Sequence, residues 1–503
     1  MALLLYGYAV LVLGAMALII LRSLMKTRRY PPGPPGIPVL GNLHKFNQEY
    51  REKYIEDISK TYGDVMFFYN PTMSVLVLSS YRAMQDLLGN RGSIYSDRPR
   101  SSIIDMMGNG NLGTEAFGPS WKLQRKLFHH HMNKGALPQY FPIVEQESRR
   151  CLRRLHRSPE NWMDELRLNT VRVILGVTYD IWDFESPDDE RVTAASRFIT
   201  HVTSALTPGL LWMNIFPILR HIPPWVPWLG NETRLVSAWG EEDRTTMTKP
   251  FNYVKMQKNA GTAKRSFVLS LLEEDAADER TMTWLAASMY GGGAETTLGL
   301  LHAFVLAMVL HPDVQRKAQH EIERVVGSGR LPGIQDRGSL PYVENLIREV
   351  IRWWSLASFT LGHRVMEDDE YKGYFIPKET IVLPCLWCIS RDEEMYPEPE
   401  TFRPERFDEV GPDGQLPLDP LKFSFGMGRR ICPGQDFAEM VLFSNIAVFL
   451  ATTTVSKPLD AEGNQITPTT VPINPMQRNP TPFKCRVEVR PAAAFLADDN
   501  QTK

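Results

Sequence analysis

Residues 425–434 read Phe425-Gly426-Met427-Gly428-Arg429-Arg430-Ile431-Cys432-Pro433-Gly434. Three glycines remove side chains from the backbone around one cysteine, which would let a flat ligand approach closely. Proline is preferred at the first position of a helix, and the apolar run Phe437–Leu450 follows Pro433. Cys432 is therefore predicted at a helix N-terminus, where the dipole and free N–H groups lower the pKa of a thiol. With the cation of Arg430 nearby, such a thiolate is suited to bind the metal of an anionic cofactor.

The spacing Phe425-x-x-Gly428-x-Arg430-x-Cys432-x-Gly434 resembles the haem-binding signature of cytochrome P450 enzymes. The resemblance implies that Cys432 is the axial thiolate ligand of haem iron, and thus the metal ligand of this chain. It also implies that Arg430 binds a haem propionate, that Phe425 shields the sulfur, and that Gly434 belongs to the cofactor-binding loop. The alternative, an inert buried cysteine beside a glycine-rich turn, would leave the motifs described below unexplained.

The composition is that of an ordinary globular protein. Of 503 residues, 43% are hydrophobic and 23% charged, which excludes disordered, collagen-like and coiled-coil chains. The 56 basic and 58 acidic side chains nearly balance, so no nucleic-acid partner is expected. Five cysteines in so long a chain are typical of a reducing compartment rather than of a disulfide framework.

The N-terminus is predicted to anchor the chain in a membrane. Ala2–Leu21 contains no charged side chain and is just long enough to cross a bilayer as a helix. Basic residues follow this run instead of preceding it, which places the rest of the chain on the cytosolic side. They are Arg22, Lys26, Arg28 and Arg29. A cleaved signal peptide is the alternative, and the glycosylation sequons at Asn231 and Asn500 would favour it.

These observations divide the chain into three parts. Residues 1–24 are predicted to be a single-pass anchor in the endoplasmic reticulum membrane, and residues 25–40 a basic and proline-rich hinge. Since proline fixes φ, the segment Pro31–Pro38 is expected to be a stiff spacer. Residues 41–503 are predicted to be a cytosolic haem-thiolate catalytic domain, undivided because no Gly/Ser-rich linker interrupts it.

Periodicity predicts a mainly α protein with minor β. Strands are predicted at Val65–Tyr69, Val75–Leu78, Thr380–Leu383 and Lys484–Val489. Helices are predicted where apolar residues recur at three-to-four spacing, at Trp121–Phe128, Pro142–His156, Leu166–Val177, Met282–Leu310, Val314–Val326 and Leu340–Trp354. The expected fold is the P450 fold that the resemblance implies: a single large helix-rich domain with small β-sheets, preceded by one N-terminal transmembrane helix.

The longest predicted helix contains Gly291-Gly292-Gly293-Ala294-Glu295-Thr296-Thr297. Each glycine inside a helix costs about 1 kcal/mol relative to alanine, and a flat cofactor against the bare backbone would compensate. The Thr296 hydroxyl can bond back to the Gly292 carbonyl and bend the helix. The segment resembles the oxygen-activation stretch of the P450 distal helix, which implies that Glu295 and Thr296 are catalytic and deliver protons through water. A flexible glycine hinge with a solvated glutamate is the alternative.

Two further segments are similar to P450 elements that contact haem. Trp121 and Arg125 lie four residues apart, on one face of a predicted helix, and the resemblance assigns both to a haem propionate. Leu361-Gly362-His363-Arg364-Val365 is similar to the stretch whose His-Arg pair meets the haem edge, with glycine where proline is usual. His363 is preferred as the cofactor contact, and Arg364 is the alternative.

One constellation is predicted to be structural. Glu349 and Arg352 lie three residues apart on a helix, and Arg406 follows within the segment Phe402–Phe407. The resemblance implies that these three side chains form a buried ionic triad that supports the cysteine loop, without a catalytic role.

The resemblance implies a monooxygenase in the style of fungal secondary metabolism. It would oxidise a lipophilic small molecule, such as a terpenoid or an aromatic polyketide intermediate, in a pocket lined largely by apolar residues of 101–117, 203–212, 290–294 and 357–361. The chain has no flavin or nicotinamide fingerprint, so NADPH-derived electrons would come from a separate cytochrome P450 reductase, with cytochrome b5 as a second candidate donor. The alternatives are a haem-thiolate isomerase or dehydratase, and a non-enzymatic membrane-anchored haem or steroid binder.

Three conspicuous motifs have ordinary explanations. Successive histidines in His129-His130-His131 diverge by about 100° on a helix, so a shared metal ion is not expected. Cys385 and Cys388 have the spacing of a redox motif, but the run is strand-like with no following helix, which predicts packing residues. Lys122, Lys126 and Arg429 are predicted to offer a basic face to an acidic electron donor, although an ordinary solvated face would explain them equally.

Overall fold

The computed structural model describes residues 29–37, 41–46, 50–108, 110–206, 211–411, 414–469 and 477–490, apart from the side chain of Ile215. The predicted anchor at residues 1–24, residues 25–28 and 38–40 of the hinge and the sequon at Asn500 lie outside these residues. Within the described ranges, Glu279–Leu310 is long and apolar enough to cross a membrane. Since 83% of its apolar window is buried inside the protein, it is a core helix.

The described residues are mainly helical, which confirms the predicted class. The α-helices are α1 Arg51–Tyr62, α2 Tyr81–Met84, α3 Ser102–Met107, α4 Pro119–Met132, α5 Phe141–Arg157, α6 Trp162–Tyr179, α7 Glu190–Leu206, α8 Trp212–Ile215, α9 Asn231–Asn259, α10 Phe267–Glu273, α11 Glu279–Leu310, α12 Pro312–Val326, α13 Pro341–Trp354, α14 Leu386–Ser390, α15 Leu421–Ser424 and α16 Gln435–Thr452.

Short strands form small sheets, again as predicted. They are β1 Val65–Tyr69, β2 Ser74–Leu78, β3 His363–Arg364, β4 Asp369–Tyr371, β5 Tyr374–Ile376, β6 Ile381–Pro384, β7 Thr453–Ser456 and β8 Arg486–Val489. One sheet has the order β1-β2-β6-β3, while β4 pairs with β5 and β7 with β8. Strands β2 and β6 run parallel with Leu76 opposite Val382, and His363 of β3 lies opposite Val382 on its other side.

The chain folds as two compact units. The smaller unit comprises residues up to Pro99 together with Phe359–Ile389 and Met427–Arg430, and it contains the four-stranded sheet. The larger unit comprises Arg100–Ser358, Ser390–Gly426 and the chain from Ile431 onwards, and it contains most of the helices. The predicted domain boundary at residue 41 stays a prediction.

A shared apolar core in the larger unit holds the helices that carry candidate site residues. Trp121 of α4, Ala294 of α11 and Phe437 of α16 all belong to it. Burial of each large apolar side chain contributes about 1.5–3 kcal/mol, so such a core fixes the mutual placement of its helices. It thereby positions Arg125 on α4 and Thr296 on α11.

Helix α11 shows how local sequence sets the bounds of an element. The Asp278 Oδ1 accepts the Thr281 N–H at 3.0 Å, and this cap starts the helix at Glu279 instead of the predicted Met282. The helix ends at Leu310, before Pro312, as predicted.

Helix α9 is not predicted by the periodicity. It spans 29 residues and contains Pro250, a residue that normally kinks or ends a helix. Buried Val236, Phe251 and Val254 hold its apolar side against the rest of the unit. Tertiary packing therefore overrides a local signal for a break.

Candidate active site

Cys432 lies in a loop that its own backbone closes. The Cys432 N–H donates to the Phe425 carbonyl at 2.7 Å, and both residues belong to the larger unit. Helix α16 begins at Gln435 with Gly434 as its N-cap. The predicted helix start is therefore wrong: Pro433 precedes the helix, and Cys432 lies two residues before the cap.

The predicted acidity of the Cys432 thiol is also wrong for the protein without a bound metal. Burial raises its pKa, because surroundings of low polarity disfavour the thiolate. The Gly434 N–H, which bonds to the sulfur, and the Arg125 guanidinium lower the pKa by less. A metal cation bound to the sulfur would supply the missing stabilisation of the thiolate.

Arg125 supports the cysteine loop from α4. Its Nη1 donates to the carbonyl of Ile431, the residue before Cys432, at 2.6 Å. Burial lowers the pKa of Arg125, and Cys432 acts in the opposite direction. Trp121, one turn earlier, packs against Phe117 with ring centroids 5.1 Å apart. The predicted pair is thus brought together on one helix, while its assignment to a propionate stays a prediction.

The opening expected for a flat cofactor lies at one glycine of α11 rather than at three. A Cβ on Gly291 would lie 2.4 Å from the Phe198 ring, and one on Gly293 would lie 2.6 Å from Ile174. A Cβ on Gly292 would meet nothing within 4 Å. The first and third glycines therefore allow protein packing, and only the second borders free space.

Thr296 lies one turn after Gly292 on α11. Both residues are exposed in a helix that is otherwise largely buried. The Thr296 Oγ1 donates to the Gly292 carbonyl at 2.6 Å, which confirms the predicted back-bond. Glu295 is buried, and its Oε1 has no hydrogen-bond partner within the described part of the chain. This carboxylate is therefore not the solvated glutamate of the alternative explanation.

Position 428, in the smaller unit, has a backbone conformation that requires glycine. Its φ is +65°, and a Cβ would lie 2.1 Å from the carbonyl oxygen of Leu88. Side chains other than glycine are strained in that region of φ. Glycine is therefore needed at this position for the fold of the loop. At Gly434, a Cβ would lie beside the Cys432 sulfur, 4.0 Å away.

Arg430 and Arg98 form a buried pair of cations in the smaller unit. The Arg430 Nε donates to the Ser96 carbonyl at 2.7 Å, and the Arg98 Nη1 donates to the carbonyls of Leu361 and Gly362 at 2.9 Å each. Burial and the charge of Arg430 lower the pKa of Arg98 to about 9. An anion bound beside two such guanidinium groups would relieve their repulsion. Sequence reasoning misses Arg98, because no motif marks it.

The two alternatives His363 and Arg364 differ in their surroundings. Arg364 is engaged by the carboxylates of Asp97 and Glu379. His363 is buried, and its Nδ1 lies 2.7 Å from the Tyr95 carbonyl. Burial, followed by the charge of Arg98, lowers the pKa of His363 to about 3. The neutral ring therefore donates from Nδ1 and carries no proton on Nε2 that it could donate to a carboxylate. Arg98 and Arg430 are thus better placed than His363 to bind an anion in this unit.

The predicted ionic triad is present in the larger unit. The Glu349 carboxylate bonds the Arg352 guanidinium at 2.8 Å through both oxygens, and the Arg406 Nε lies 3.1 Å from its Oε1. Arg352 also lies over the Tyr396 ring at 5.4 Å, and the Tyr396 hydroxyl donates to the Leu418 carbonyl at 2.7 Å. The triad thus supports the segment that leads into the cysteine loop.

Other sequence expectations fall outside the site. Cys385 and Cys388 are buried with their sulfurs 2.7 Å apart, and α14 follows Cys385, so the expected absence of a helix is wrong. Among the predicted pocket-lining residues, Ile103 and Met107 pack in a buried cluster with Val236 of α9. Phe359 packs against Phe46 in the smaller unit, with ring centroids 5.9 Å apart.

Each unit by itself offers groups that fit haem. In the larger unit, a buried thiol and the free space along Gly292 and Thr296 suit a planar metal-bearing ligand. In the smaller unit, the buried guanidinium groups of Arg98 and Arg430 suit its carboxylates.

Comparisons with known proteins agree with these features. A family model described as Cytochrome P450 matches residues 31–479. Cytochrome P450 monooxygenase claR of Ampulloclitocybe clavipes is 37% identical over 508 residues, covering 98% of this chain and 93% of that protein. Cytochrome P450 monooxygenase COX2 of Coprinopsis cinerea is 36% identical, with 94% and 91% covered. Cytochrome P450 monooxygenase claT of A. clavipes is 34% identical, with 92% of each chain covered.

Proposed function

The chain belongs to the cytochrome P450 monooxygenase family, whose cofactor is haem with a thiolate ligand, and from this premise we propose that it oxidises a lipophilic small molecule with O2 and NADPH-derived electrons. The proposed oxygen chemistry is supported chiefly by the open side of α11 at Gly292. There the Thr296 hydroxyl is hydrogen-bonded to the Gly292 carbonyl, next in the chain to the buried Glu295. An isomerase or a mere binder would have no use for proton delivery at this position.

The cofactor contacts are proposed from the family motifs and from the groups that each unit presents by itself. In the larger unit, Cys432 would supply the axial ligand, and Trp121 and Arg125 would face a carboxylate of the cofactor. In the smaller unit, Arg430 and Arg98 would bind a carboxylate, with His363 orienting the Tyr95–Arg98 segment through its bond to Tyr95. Phe425 and Gly434 would limit the access of water to the sulfur.

When haem is bound and reduced, it supplies the activation of O2 and the insertion of one oxygen atom into the substrate. The chain contributes proton delivery and the exclusion of water. The Thr296 Oγ1, held by the Gly292 carbonyl, can accept a hydrogen bond from water on the exposed face of α11. The Glu295 carboxylate would hold the next proton and release it toward Thr296.

The proposed substrate is lipophilic, for instance a terpenoid or an aromatic polyketide intermediate of fungal secondary metabolism. Apolar side chains dominate α3, where Ile104 and Met106 lie beside Leu206 of α7. Asp105, the charged residue of this helix, is exposed. Desolvation makes charged substrates costly in such surroundings.

The proposed electron donor is a separate NADPH–cytochrome P450 reductase, with cytochrome b5 as a second candidate. Lys122 and Lys126 are exposed one turn apart on α4, the helix whose Arg125 bonds the cysteine loop. Such a basic face attracts an acidic partner and sets its orientation.

The proposed location is the endoplasmic reticulum membrane, with one spanning anchor and a cytosolic catalytic domain. Exposed apolar side chains of the segment Leu211–Leu229 support contact with a lipid surface, since Trp225 and Trp228 are 79% and 88% exposed. Tryptophan is enriched at membrane interfaces, where its ring is partly buried in lipid and its N–H remains hydrated.

Two measurements on the haem-loaded full chain test the proposal. A reduced carbon monoxide difference spectrum should show the strongly red-shifted Soret band of thiolate ligation. Turnover of a lipophilic compound library with a fungal reductase should then require both NADPH and O2. Turnover of a peroxide without NADPH would identify an isomerase or dehydratase, and spectral binding with no NADPH consumption would identify a binder. Either result would overturn the proposed reaction.

A further inference from the structure

Two consecutive histidines at the end of α4 meet one carboxylate from another helix. The His131 Nε2 lies 3.4 Å from the Glu274 Oε2, and the His130 Nε2 lies 3.9 Å from the Glu274 Oε1. Glu274 is the C-cap of α10. Although the two rings leave α4 in different directions, the carboxylate reaches both, because its two oxygens face different rings.

The spacing of these atoms is that of a small metal site. All three ligand atoms lie within 4.8 Å of one another. In tetrahedral zinc sites, bonds of 2.0–2.2 Å place neighbouring ligand atoms about 3.4 Å apart. The His131–Glu274 distance already matches this value, and the exposed His130 ring needs a small rotation to approach.

A second observation at this cluster concerns the His131 ring. The His131 side chain is 11% exposed, and its Nε2 is buried without a hydrogen-bond partner within the described residues. The ring is held in place by Phe267 of α10, with centroids 5.7 Å apart. A buried ring nitrogen that faces a carboxylate oxygen at 3.4 Å, without the alignment of a hydrogen bond, is placed as it would be around a cation.

We propose that His130, His131 and Glu274 bind a zinc ion at the junction of α4 and α10. Two imidazoles and one carboxylate form a ligand set that zinc accepts, whereas magnesium and calcium prefer oxygen ligands alone. His130 is 67% exposed, so the fourth position is open to water and the ion can enter from solvent. The bound ion ties the end of α4, the helix that carries Arg125, to α10.

Zinc titration of the haem-loaded full chain tests the proposal by calorimetry. We expect E274Q, which preserves the shape of the side chain and removes its charge, to weaken zinc binding at least about tenfold, and H130A to do the same. The matched control is H129A, since His129 is an exposed neighbour outside the cluster. All three substituted side chains are exposed, and an unchanged Soret spectrum verifies that each variant is folded.

The melting temperature gives an independent readout, because an ion that binds only the folded state stabilises it. Zinc should raise the melting temperature of the unsubstituted chain and of H129A, but not that of E274Q, and magnesium should raise none of them. Equal zinc affinity in the unsubstituted chain and E274Q would overturn the proposal, as would an equal loss in H129A or binding of magnesium at the same concentration.

Discussion

The Arg125 guanidinium donates to the carbonyl of Ile431 at 2.6 Å, and so joins α4 to the residue before Cys432. We expect Arg125→Ala to leave this carbonyl unpaired and to remove a cation beside the sulfur. A charge-assisted hydrogen bond of this kind contributes about 1.5–3 kcal/mol, so haem loss should accelerate about tenfold or more. Transfer of haem to apomyoglobin measures the rate. Lys122→Ala on the exposed face of α4 is the control, and equal haem loss in both variants would refute the role of Arg125.

Cys432→Ser should abolish the thiolate-type carbon monoxide spectrum, because serine offers no thiolate to the iron. Cys485→Ser is the matched control, since Cys485 is also a free, partly buried cysteine of the larger unit. Retention of the red-shifted Soret band in Cys432→Ser would mean that another residue is the ligand.

Thr296→Ala should retain haem and lose proton delivery. Loss of a positioned proton donor lowers rates about a hundredfold or more in typical enzymes, so product should fall while NADPH is diverted to hydrogen peroxide. The ratio of peroxide formed to NADPH consumed measures this uncoupling. Thr297→Val removes a buried hydroxyl next in the chain and should leave the ratio unchanged. Equal coupling in both variants would remove the role assigned to Thr296.

Glu349→Gln should destabilise the larger unit strongly. Glu349, Arg352 and Arg406 are almost completely buried, and loss of one partner leaves buried charge uncompensated at a cost of about 3–5 kcal/mol. Chemical denaturation of the haem-loaded protein measures the loss. The exposed Glu409, which pairs with Arg403, is the control: Glu409→Gln should cost less than about 1 kcal/mol. Similar losses in the two variants would argue against the triad as a support.

Stability should fall as the pH drops from about 6.5 to 4, in part through His302. Burial lowers the pKa of His302 to about 4, whereas an unfolded histidine titrates near 6.5. Between these two pKa values the unfolded state binds the proton and the folded state does not. Each unit by which the pH falls therefore lowers the free energy of unfolding by up to about 1.4 kcal/mol. The slope of unfolding free energy against pH should therefore be shallower in His302→Gln. His320→Gln, at an exposed position, should keep the slope of the unsubstituted chain.

Much of the candidate site can be predicted from short segments. The back-bond of Thr296 to Gly292 follows from a spacing of four on a helix, and the Glu349–Arg352 pair follows from a spacing of three. Strand β1 has its predicted bounds, because apolar β-formers end at a turn. These features depend on interactions between residues that are close in the chain.

Other features depend on neighbours that are distant in the chain. Arg98 and Arg430 lie 332 positions apart in the chain and meet only in the folded unit, and no local pattern marks Arg98. The thiol pKa of Cys432 depends on burial, which outweighs the nearby N–H and cation. Consecutive histidines point apart on α4, yet His130 and His131 share Glu274 because α10 brings the carboxylate to both.

The sequence by itself determined the family, the loop that contains Cys432 and the helix that carries Thr296, because spacing along one helix or loop sets which side chains share a face. Only the tertiary structure decided which glycine of α11 borders free space, which arginines lie together and whether the cysteine is acidic. These properties arise from packing and burial, and both are set by residues that the chain brings together from far apart.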